Sequence, residues 1–295
     1  MKTDFLDEVK CVIESSLPSS ATTVAKVVQT VMEPSSSARD VAKIIEQDPN
    51  FAADILRIAN SAYYGCSTSI SSLQRAVVIL GYDTIKKLTS TIGLMSCFTS
   101  SGNTDDHKII GLWYHSIGTA QACQLITMEM SFGPPDIAYT AGLLHDIGKI
   151  ILALFFPEHF HYVLSLVEEK NTRFILAEHS RIKTDHTKIG KLLCDAWALP
   201  EILGLSILSH HDPTGVHNDD KVVRLAQIVE LGDFMCRKAQ IGFPGDEKTI
   251  EPSISSLSLL GVNPEKREEN FNAISEKLEK SKPEIDNYFR EFKST

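Results

Sequence analysis

At the centre of the chain lies the run Ala141-Gly142-Leu143-Leu144-His145-Asp146-Ile147-Gly148-Lys149-Ile150. It places an adjacent histidine and aspartate in an otherwise apolar segment with helical spacing. Such side chains need hydrogen-bonding partners or a bound cation when they are buried. A divalent metal is one such partner, because neutral imidazole and carboxylate are both good metal ligands. The run therefore predicts a metal site, with hydrogen-bonded core residues as the alternative.

Composition places the chain among globular proteins. Its 295 residues are 43% hydrophobic and 23% charged, enough apolar material for one large domain or two ordinary ones. The formal net charge of -9 argues against non-specific binding to nucleic acid or to an anionic membrane surface. We therefore expect neither as a partner.

The cysteines and the N-terminus predict a cytoplasmic protein. No CxxC pair is present, and such scattered cysteines are typical of reduced thiols in helices. The first fourteen residues lack the apolar core of a signal peptide, and no uninterrupted apolar run is long enough to span a bilayer. The six cysteines are Cys11, Cys66, Cys97, Cys123, Cys194 and Cys236.

The spacing of apolar residues predicts an all-α fold. Apolar positions recur at helical intervals through most of the chain, and no convincing alternating strand pattern or glycine-rich phosphate loop is present. Long helices are expected over 109–130 and 219–239. A central helix is expected to begin near Asp136 and to continue through the His145-Asp146 pair toward Phe155.

Two breaks in this pattern suggest a three-part organisation. The polar run 99–106 and the turn-forming run 241–246 interrupt the helical spacing. We therefore predict an N-terminal helical lobe over 1–107, a helical core over 108–245 and a C-terminal helical tail over 246–295.

Seven histidine and aspartate residues fall on predicted helices or at their ends. A helical bundle can aim such side chains at one central point. Nitrogen and oxygen ligands without cysteine favour one or two ions of Fe, Mn, Ni or Zn over Ca. Asp146 would bridge a pair of ions, and Lys149 could neutralise a phosphoryl oxygen. The seven are His115, His145, Asp146, His186, His210, His211 and Asp233.

The remaining histidines have polar or loop-edge surroundings and receive no site assignment. A surface or hydrogen-bonded role is the ordinary interpretation of a single histidine. These residues are His107, His159, His161, His179 and His217.

The run Ala141–Lys149 resembles the signature of the HD superfamily of metal-dependent phosphohydrolases. Over a longer range, from about Leu17 to Asp212, the chain resembles the HDOD domain, the HD-related output domain of bacterial signalling proteins. That resemblance implies an HD-superfamily-like helical bundle with an additional N-terminal lobe, acting as a regulatory module. It is carried by the runs Leu17-Pro18, Gln47-Asp48-Pro49, Ile55–Gly65, Ile70–Leu73, Ala76–Gly81, Ala141–Lys149 and His210–Pro213.

A second resemblance concerns the metal positions. The seven residues occur in the order used by HD-GYP cyclic-di-GMP phosphodiesterases, in which matching residues bind two or three metal ions and the lysine that matches Lys149 assists catalysis. The Gly-Tyr-Pro loop of that family is absent, because His211 is followed by Asp212-Pro213-Thr214-Gly215-Val216-His217, and Asp212 stands where that family usually has glutamate. The resemblance thus implies a bound metal without implying cyclic-di-GMP hydrolysis.

Three functional hypotheses follow. The first is a bacterial signal-transduction module that acts through a protein partner and retains a divalent metal centre. The second is a metal-dependent phosphohydrolase acting on a nucleotide or cyclic dinucleotide, with Asp146 and Lys149 in catalytic roles, so a nucleotide ligand is left open. The third is a purely structural metal that pins the helices together.

Overall fold

Helices form nearly all of the regular structure in the computed structural model, which describes residues 5–16, 20–33, 35–65, 70–99, 107–214, 219–261 and 263–293. These ranges contain no β-strand, and the predicted all-α class is confirmed. The predicted polar boundary lies outside the described residues except for Thr99. Leu17, Pro18, Cys66 and His217 also lie outside them.

Packing groups the chain into two compact units, Met1–Ser16 with Ser101–Lys280, and Leu17–Ser100 with Ser281–Thr295. These two units are defined by packing alone and do not test the predicted three-part organisation, which stays a prediction. The helices of the first unit are α1 Phe5–Ser16, α7 His107–Met130, α8 Pro135–Leu144, α9 Ile147–Phe155, α10 Pro157–Lys170, α11 Phe174–Ile182, α12 His186–Ala196, α13 Glu201–Ser209, α14 Asp220–Lys238 and α15 Ile254–Leu257, followed by a 3₁₀ turn, Ser258–Leu260. Those of the second are α2 Ser20–Met32, α3 Ala38–Ile45, α4 Pro49–Ala59, α5 Leu73–Leu80 and α6 Tyr82–Thr99. Helix α16, Pro264–Lys293, contributes residues to both.

The first unit is built around α7. This helix is buried on nearly all sides, as its continuous apolar and small-residue sequence predicts. Helices α8 and α14 pack closely on it at two glycines. A Cβ on Gly142 would lie 2.9 Å from the Thr119 carbonyl oxygen, and one on Gly232 would lie 2.5 Å from Cys123 Sγ. These close crossings bring the C-terminus of α8 and the middle of α14 to the centre of α7.

The predicted continuous helix through His145 and Asp146 is wrong. Helix α8 ends at Leu144, α9 begins at Ile147, and the pair occupies the turn between them. Asp146 has φ -104° and ψ 11°, outside the helical region. His145 Nδ1 donates to the Gly142 carbonyl, which in a continuous helix would accept from the backbone N–H four residues later. Adjacent side chains on a helix diverge by about 100°. The turn instead lets both face the same interior.

By length and composition alone, the stretch Pro135–Phe155 could also cross a membrane. In the structure, 89% of the most apolar part of this stretch is buried inside the protein. The described residues thus show it as a helical core segment.

The second unit has its own apolar core, in which α2 packs on α6 and α3 to α5 surround them. Asn60, at the end of α4, fixes the loop that follows: its side chain donates to the Ile70 carbonyl at 2.8 Å and accepts from the Ile70 N–H at 2.7 Å. One side chain therefore joins two points of the α4–α5 connection that lie ten residues apart along the chain.

Candidate metal centre

Five helical segments of the first unit deliver the seven predicted residues to one place. Helix α7 carries His115, the α8–α9 turn carries His145 and Asp146, α12 begins with His186, His210 and His211 directly follow α13, and α14 carries Asp233. Three overlapping groups have ligand atoms within 4.8 Å of one another: His186, His210 and His211; His115, His145 and Asp233; and His145, Asp146 and His210. The predicted convergence is therefore present, while metal binding itself stays a prediction.

Asp146 stands at the middle of this cluster. Its Oδ1 lies 3.2 Å from His186 Nε2. Its Oδ2 lies 3.3 Å from His145 Nε2 and 3.9 Å from His115 Nε2, and accepts a hydrogen bond of 2.7 Å from Lys149 Nζ. One carboxylate thus faces three imidazoles at the middle of the cluster.

Several polar atoms of the cluster are buried without a hydrogen-bond partner among the described residues. They are His115 Nε2, His145 Nε2, His210 Nε2 and Asp146 Oδ1. His115 Nε2 lies only 2.7 Å from Asp233 Oδ1, yet the geometry is not that of a hydrogen bond. Burying polar atoms without partners is costly. One or two divalent cations would provide partners for these atoms, so the residues fit such an ion.

Three imidazoles direct Nδ1 away from the cluster and Nε2 toward it. His145 Nδ1 donates to the Gly142 carbonyl at 2.8 Å, and His210 Nδ1 donates to the Ile207 carbonyl at 2.7 Å. His186 Nδ1 lies 2.6 Å from the Glu178 carboxylate. A neutral imidazole with its proton on Nδ1 presents the Nε2 lone pair. Each ring is therefore oriented as a metal ligand.

Burial keeps four of the imidazoles in their neutral form. It lowers the pKa of His115, lowers those of His186 and His211 well below the usual value, and lowers that of His210 to about 4. These rings are uncharged at neutral pH, as metal binding requires.

The two carboxylates stay ionised. Burial opposes their ionisation, but interactions with His145 and Lys149 hold the pKa of Asp146 well below its usual range. Arg237 has the same effect on the pKa of Asp233, and its Nε donates to both carboxylate oxygens, at 2.9 and 3.0 Å. The cluster therefore combines neutral nitrogen ligands with anionic oxygen ligands.

A cavity of about 80 Å³ opens over the cluster. His186 and His211 form part of its wall, with their Nε2 atoms 3.0 Å apart. Arg173 also lines it and places Nη2 3.5 Å from His211 Nδ1. The histidine pair thus lies at the inner end of a small opening.

Sequence reasoning missed three residues that hold the cluster in place. Glu178 orients His186, Arg237 clamps Asp233, and Asp246 accepts from Arg237 Nη1 at 3.2 Å. Of the three, only Arg237 was predictable from the sequence, because it lies one helical turn after Asp233 and can form an ion pair with it. Glu178 looks like any polar position of an amphipathic helix, and Asp246 lies in a run interpreted as a boundary turn.

Histidines without a site assignment lie elsewhere where the structure describes them. His159 stacks on Phe5, His161 Nδ1 lies 2.7 Å from the Pro157 carbonyl, and His179 Nε2 lies 2.7 Å from Asp185 Oδ2. His107 is exposed at the start of α7. None of these four belongs to the groups that could hold a metal.

Comparison with known proteins connects this geometry to one family. The HDOD domain family model matches residues 17–213. A solved HDOD domain protein of unknown function from Geobacter sulfurreducens has a TM-score of 0.72 and 26% identity, covering 95% of this chain and 96% of that one. A protein from Shewanella amazonensis SB2B, described as a candidate phosphohydrolase, has a TM-score of 0.69 and 20% identity, covering 97% of each chain, and shows the same fold.

Curated relatives extend well beyond the matching region. An uncharacterized protein of Treponema pallidum (strain Nichols) is 24% identical over 205 residues, which are 66% of this chain but 38% of that protein. The chain thus spans about two fifths of the length of this relative.

Proposed function

The chain belongs to the HDOD family, and we propose that it is a regulatory module of bacterial signal transduction that acts by binding partner proteins and retains a divalent metal centre. One observation carries the regulatory part. The family match covers Leu17–Ser100, the larger part of the second unit, yet none of the seven candidate ligands lies there. A protein whose only task was metal chemistry would not need this unit.

Exposed apolar side chains in the second unit support a protein partner. Val78 is 84% exposed on α5, and Ile79 and Tyr63 are exposed by more than two fifths. Exposed apolar side chains are typical of interaction surfaces when they group together. The net charge of -9 fits a protein partner better than nucleic acid or membrane. We keep the cytoplasm as the proposed compartment.

The partner hypothesis is tested with matched surface variants. Val78→Asp should abolish co-purification of a specific partner from the native host. Ile254→Asp, at a position of the first unit that is 83% exposed, should leave it unchanged. Equal co-purification by both variants, or robust turnover by a protein that has no partner, would contradict the proposal.

The proposed metal centre uses His115, His145, Asp146, His186, His210, His211 and Asp233 as ligands. Its support is the group of orphaned nitrogen and oxygen atoms that face one another in the described core. When bound, the metal would supply positive charge and Lewis acidity to a ligand in the adjoining cavity. The donor set suits Fe, Mn, Ni or Zn, with one or two ions per chain.

Elemental analysis of untagged protein tests the centre. We expect one or two equivalents of a first-row transition metal in the wild type, and loss of that metal in His145→Ala and Asp146→Ala with helical content intact. His161→Ala, at an exposed position on α10, should keep the full metal content. A wild type free of metal after purification and reconstitution would contradict the centre.

The second candidate function is metal-dependent hydrolysis of a phosphate ester in a nucleotide or cyclic dinucleotide. It is favoured by Lys149 beside Asp146 in the cluster and by the shared fold of the Shewanella amazonensis protein. Lys149 Nζ, however, also donates to the Pro244 carbonyl at 2.8 Å, so part of its capacity is used inside the protein. Turnover of a nucleotide panel by metal-loaded protein, lost in Asp146→Ala, would establish this function instead.

A structural metal gives a different result again. Chelation would then lower the melting temperature while partner binding by the folded protein stayed unchanged. Measuring both quantities on the same sample separates this role from the regulatory one.

A further inference from the structure

The segment Ile241–Glu251, which we call the strap, covers one side of the candidate metal centre. Its Phe243 N–H donates to the Gly111 carbonyl at 2.8 Å. Gly242 has φ +74°, and a Cβ there would lie 2.2 Å from the His115 backbone nitrogen. Only glycine allows the strap to approach α7 this closely beside a candidate ligand. The run predicted to be a boundary turn is therefore part of the wall of the site.

Asp246 fastens the strap to two helices. Its buried carboxylate accepts from the Phe174 N–H of α11 at 2.8 Å and from Arg237 Nη1 of α14 at 3.2 Å. It also accepts from the Lys248 N–H at 2.9 Å, which folds the strap back on itself. A carboxylate that receives several charge-assisted or backbone hydrogen bonds is a strong anchor. Asp246 thus fixes where the strap lies.

The strap makes the opening small. Asp246, Lys248 and Glu251 line a cavity of about 80 Å³ together with His186 and His211. Pockets for drug-sized ligands occupy about 300–1,000 Å³. A cavity needs about 10–15 Å³ of such volume for each water that it holds, so this one has room for several waters or one phosphate group. A cyclic dinucleotide, with two bases and a twelve-membered ring, is far larger.

Cationic donors remain available at this opening. Among the described residues, the Arg173 guanidinium has one hydrogen-bond partner, His211 at the long distance of 3.5 Å, and its other N–H groups have none. Lys149 uses two of its three donors, on Asp146 and on the Pro244 carbonyl. A guanidinium fork matches the oxygens of a phosphate well. Size and charge therefore favour the same ligand class.

We propose that the strap, fastened by Asp246, limits the metal centre to a ligand with the size of a single phosphate group and excludes cyclic dinucleotides. The proposal rests on the metal centre proposed above. The ligand is orthophosphate or the terminal phosphate of a small phosphomonoester, which share the chemistry that Arg173 and the metal would recognise.

The test is a size series on the 295-residue chain loaded with Mn²⁺. Water-proton relaxation reports displacement of Mn²⁺-bound water when orthophosphate, glycerol phosphate or a cyclic dinucleotide is added. We expect orthophosphate, glycerol phosphate or both to bind, and the cyclic dinucleotide to bind at least about tenfold more weakly, a difference in affinity that the method resolves easily. If orthophosphate binds and glycerol phosphate does not, free phosphate is the ligand. If glycerol phosphate binds equally well, the ligand class includes phosphomonoesters.

Matched strap variants sharpen the result. Asp246→Ala should raise the affinity for the cyclic dinucleotide relative to that for orthophosphate by about tenfold, because the strap is released. The ratio of the two affinities is the readout, since Asp246 also holds Arg237 beside the candidate ligand Asp233. Glu247→Ala removes the same charge at an exposed neighbouring position and should change neither affinity. Circular dichroism verifies that each variant is folded; where Asp246→Ala is not, the wild-type size series decides alone.

The failures are distinguishable. If wild-type protein binds Mn²⁺ and takes the cyclic dinucleotide as tightly as the small phosphates, the size limit is wrong and the metal centre stands. If Mn²⁺ binds and neither small phosphate does, the ligand class is wrong. If no Mn²⁺ binds, the proposed centre and this proposal are both wrong.

Discussion

The carboxylate of Glu178 lies 2.6 Å from Nδ1 of His186, and both side chains are fully buried. The other oxygen of Glu178 accepts from the His186 backbone N–H at 3.1 Å, so one carboxylate holds both the ring and the start of α12. The opposite ring nitrogen then points at Asp146 Oδ1, 3.2 Å away. Carboxylates in this position fix the tautomer of a metal-binding histidine and raise its basicity.

Glu178→Gln should therefore weaken metal binding without removing a ligand. We expect the affinity to fall by about 10- to 100-fold, as for other residues that orient metal ligands. Competition with a chromogenic chelator measures this, and Glu169→Gln, at an exposed position on α10, is the matched control. An unchanged affinity in Glu178→Gln would show that the contact with His186 has no part in metal binding.

Gly148 is the point where α9 meets α12. A Cβ there would lie 2.1 Å from the His186 carbonyl oxygen, which is backbone and has little freedom to move. Gly148→Ala should lower the free energy of unfolding by about 1–3 kcal/mol or more, measured by urea denaturation, because the two helices must separate.

Gly204→Ala is the control for that substitution. Its Cβ would meet the flexible Lys191 side chain, at 2.7 Å from Cδ, and alanine favours the helix by up to about 1 kcal/mol. We expect little loss of stability there. Equal destabilisation by both substitutions would show that the close approach of α9 and α12 at Gly148 does not restrict the side chain more than the packing around Gly204 does.

Asn60 closes the loop between α4 and α5 with three side-chain hydrogen bonds, to the Leu56 carbonyl and to both backbone groups of Ile70. Asn60→Ala should lower the free energy of unfolding of the second unit by about 1–3 kcal/mol, because the Ile70 groups lose their partner. Asn50→Ala, at an exposed position on the same helix, should have little effect. Hydrogen exchange of the Ile70 amide provides a local measurement; unchanged protection would contradict this role.

The helices were largely predictable because their apolar residues face a core at regular intervals. The predicted helices 109–130 and 219–239 match α7 and α14 closely. The sequence also predicted which seven histidine and aspartate side chains come together, since such residues in apolar surroundings are unusual and their order resembles that of a known family. Metal binding by these residues stays a prediction. Residue type and spacing, which are local properties, carried both results.

Long-range packing was not predictable in the same way. The break between α8 and α9 arises because His145 takes the Gly142 carbonyl and α12 approaches Gly148, and no local pattern records either contact. Glu178 and Asp246 gained their roles from partners 8 and 72 residues away along the chain. A turn-forming sequence predicts a turn equally well whether it links two parts or covers a site.

The buried imidazoles should make the metal-free protein sensitive to acid. Burial lowers the pKa of His210 to about 4 in the folded state, against an ordinary value of 6.5 in the unfolded chain. Between these values the unfolded state binds more protons, so stability falls as the pH drops from 6.5 toward 4 and this contribution then levels off.

For His210 alone the slope reaches about 1.4 kcal/mol per pH unit, and the loss totals about 3 kcal/mol. Burial also lowers the pKa values of His115, His186 and His211, which makes the dependence of stability on pH steeper. Urea denaturation in a chelator between pH 4 and 8 measures it, and His210→Asn should reduce the slope by up to one proton because the amide does not titrate. His107→Asn, at an exposed histidine, should leave the curve unchanged. Burial also raises the pKa of Glu178 well above its usual value, which opposes the effect of the histidines over this range. Equal slopes in the wild type and in His210→Asn would therefore contradict this prediction.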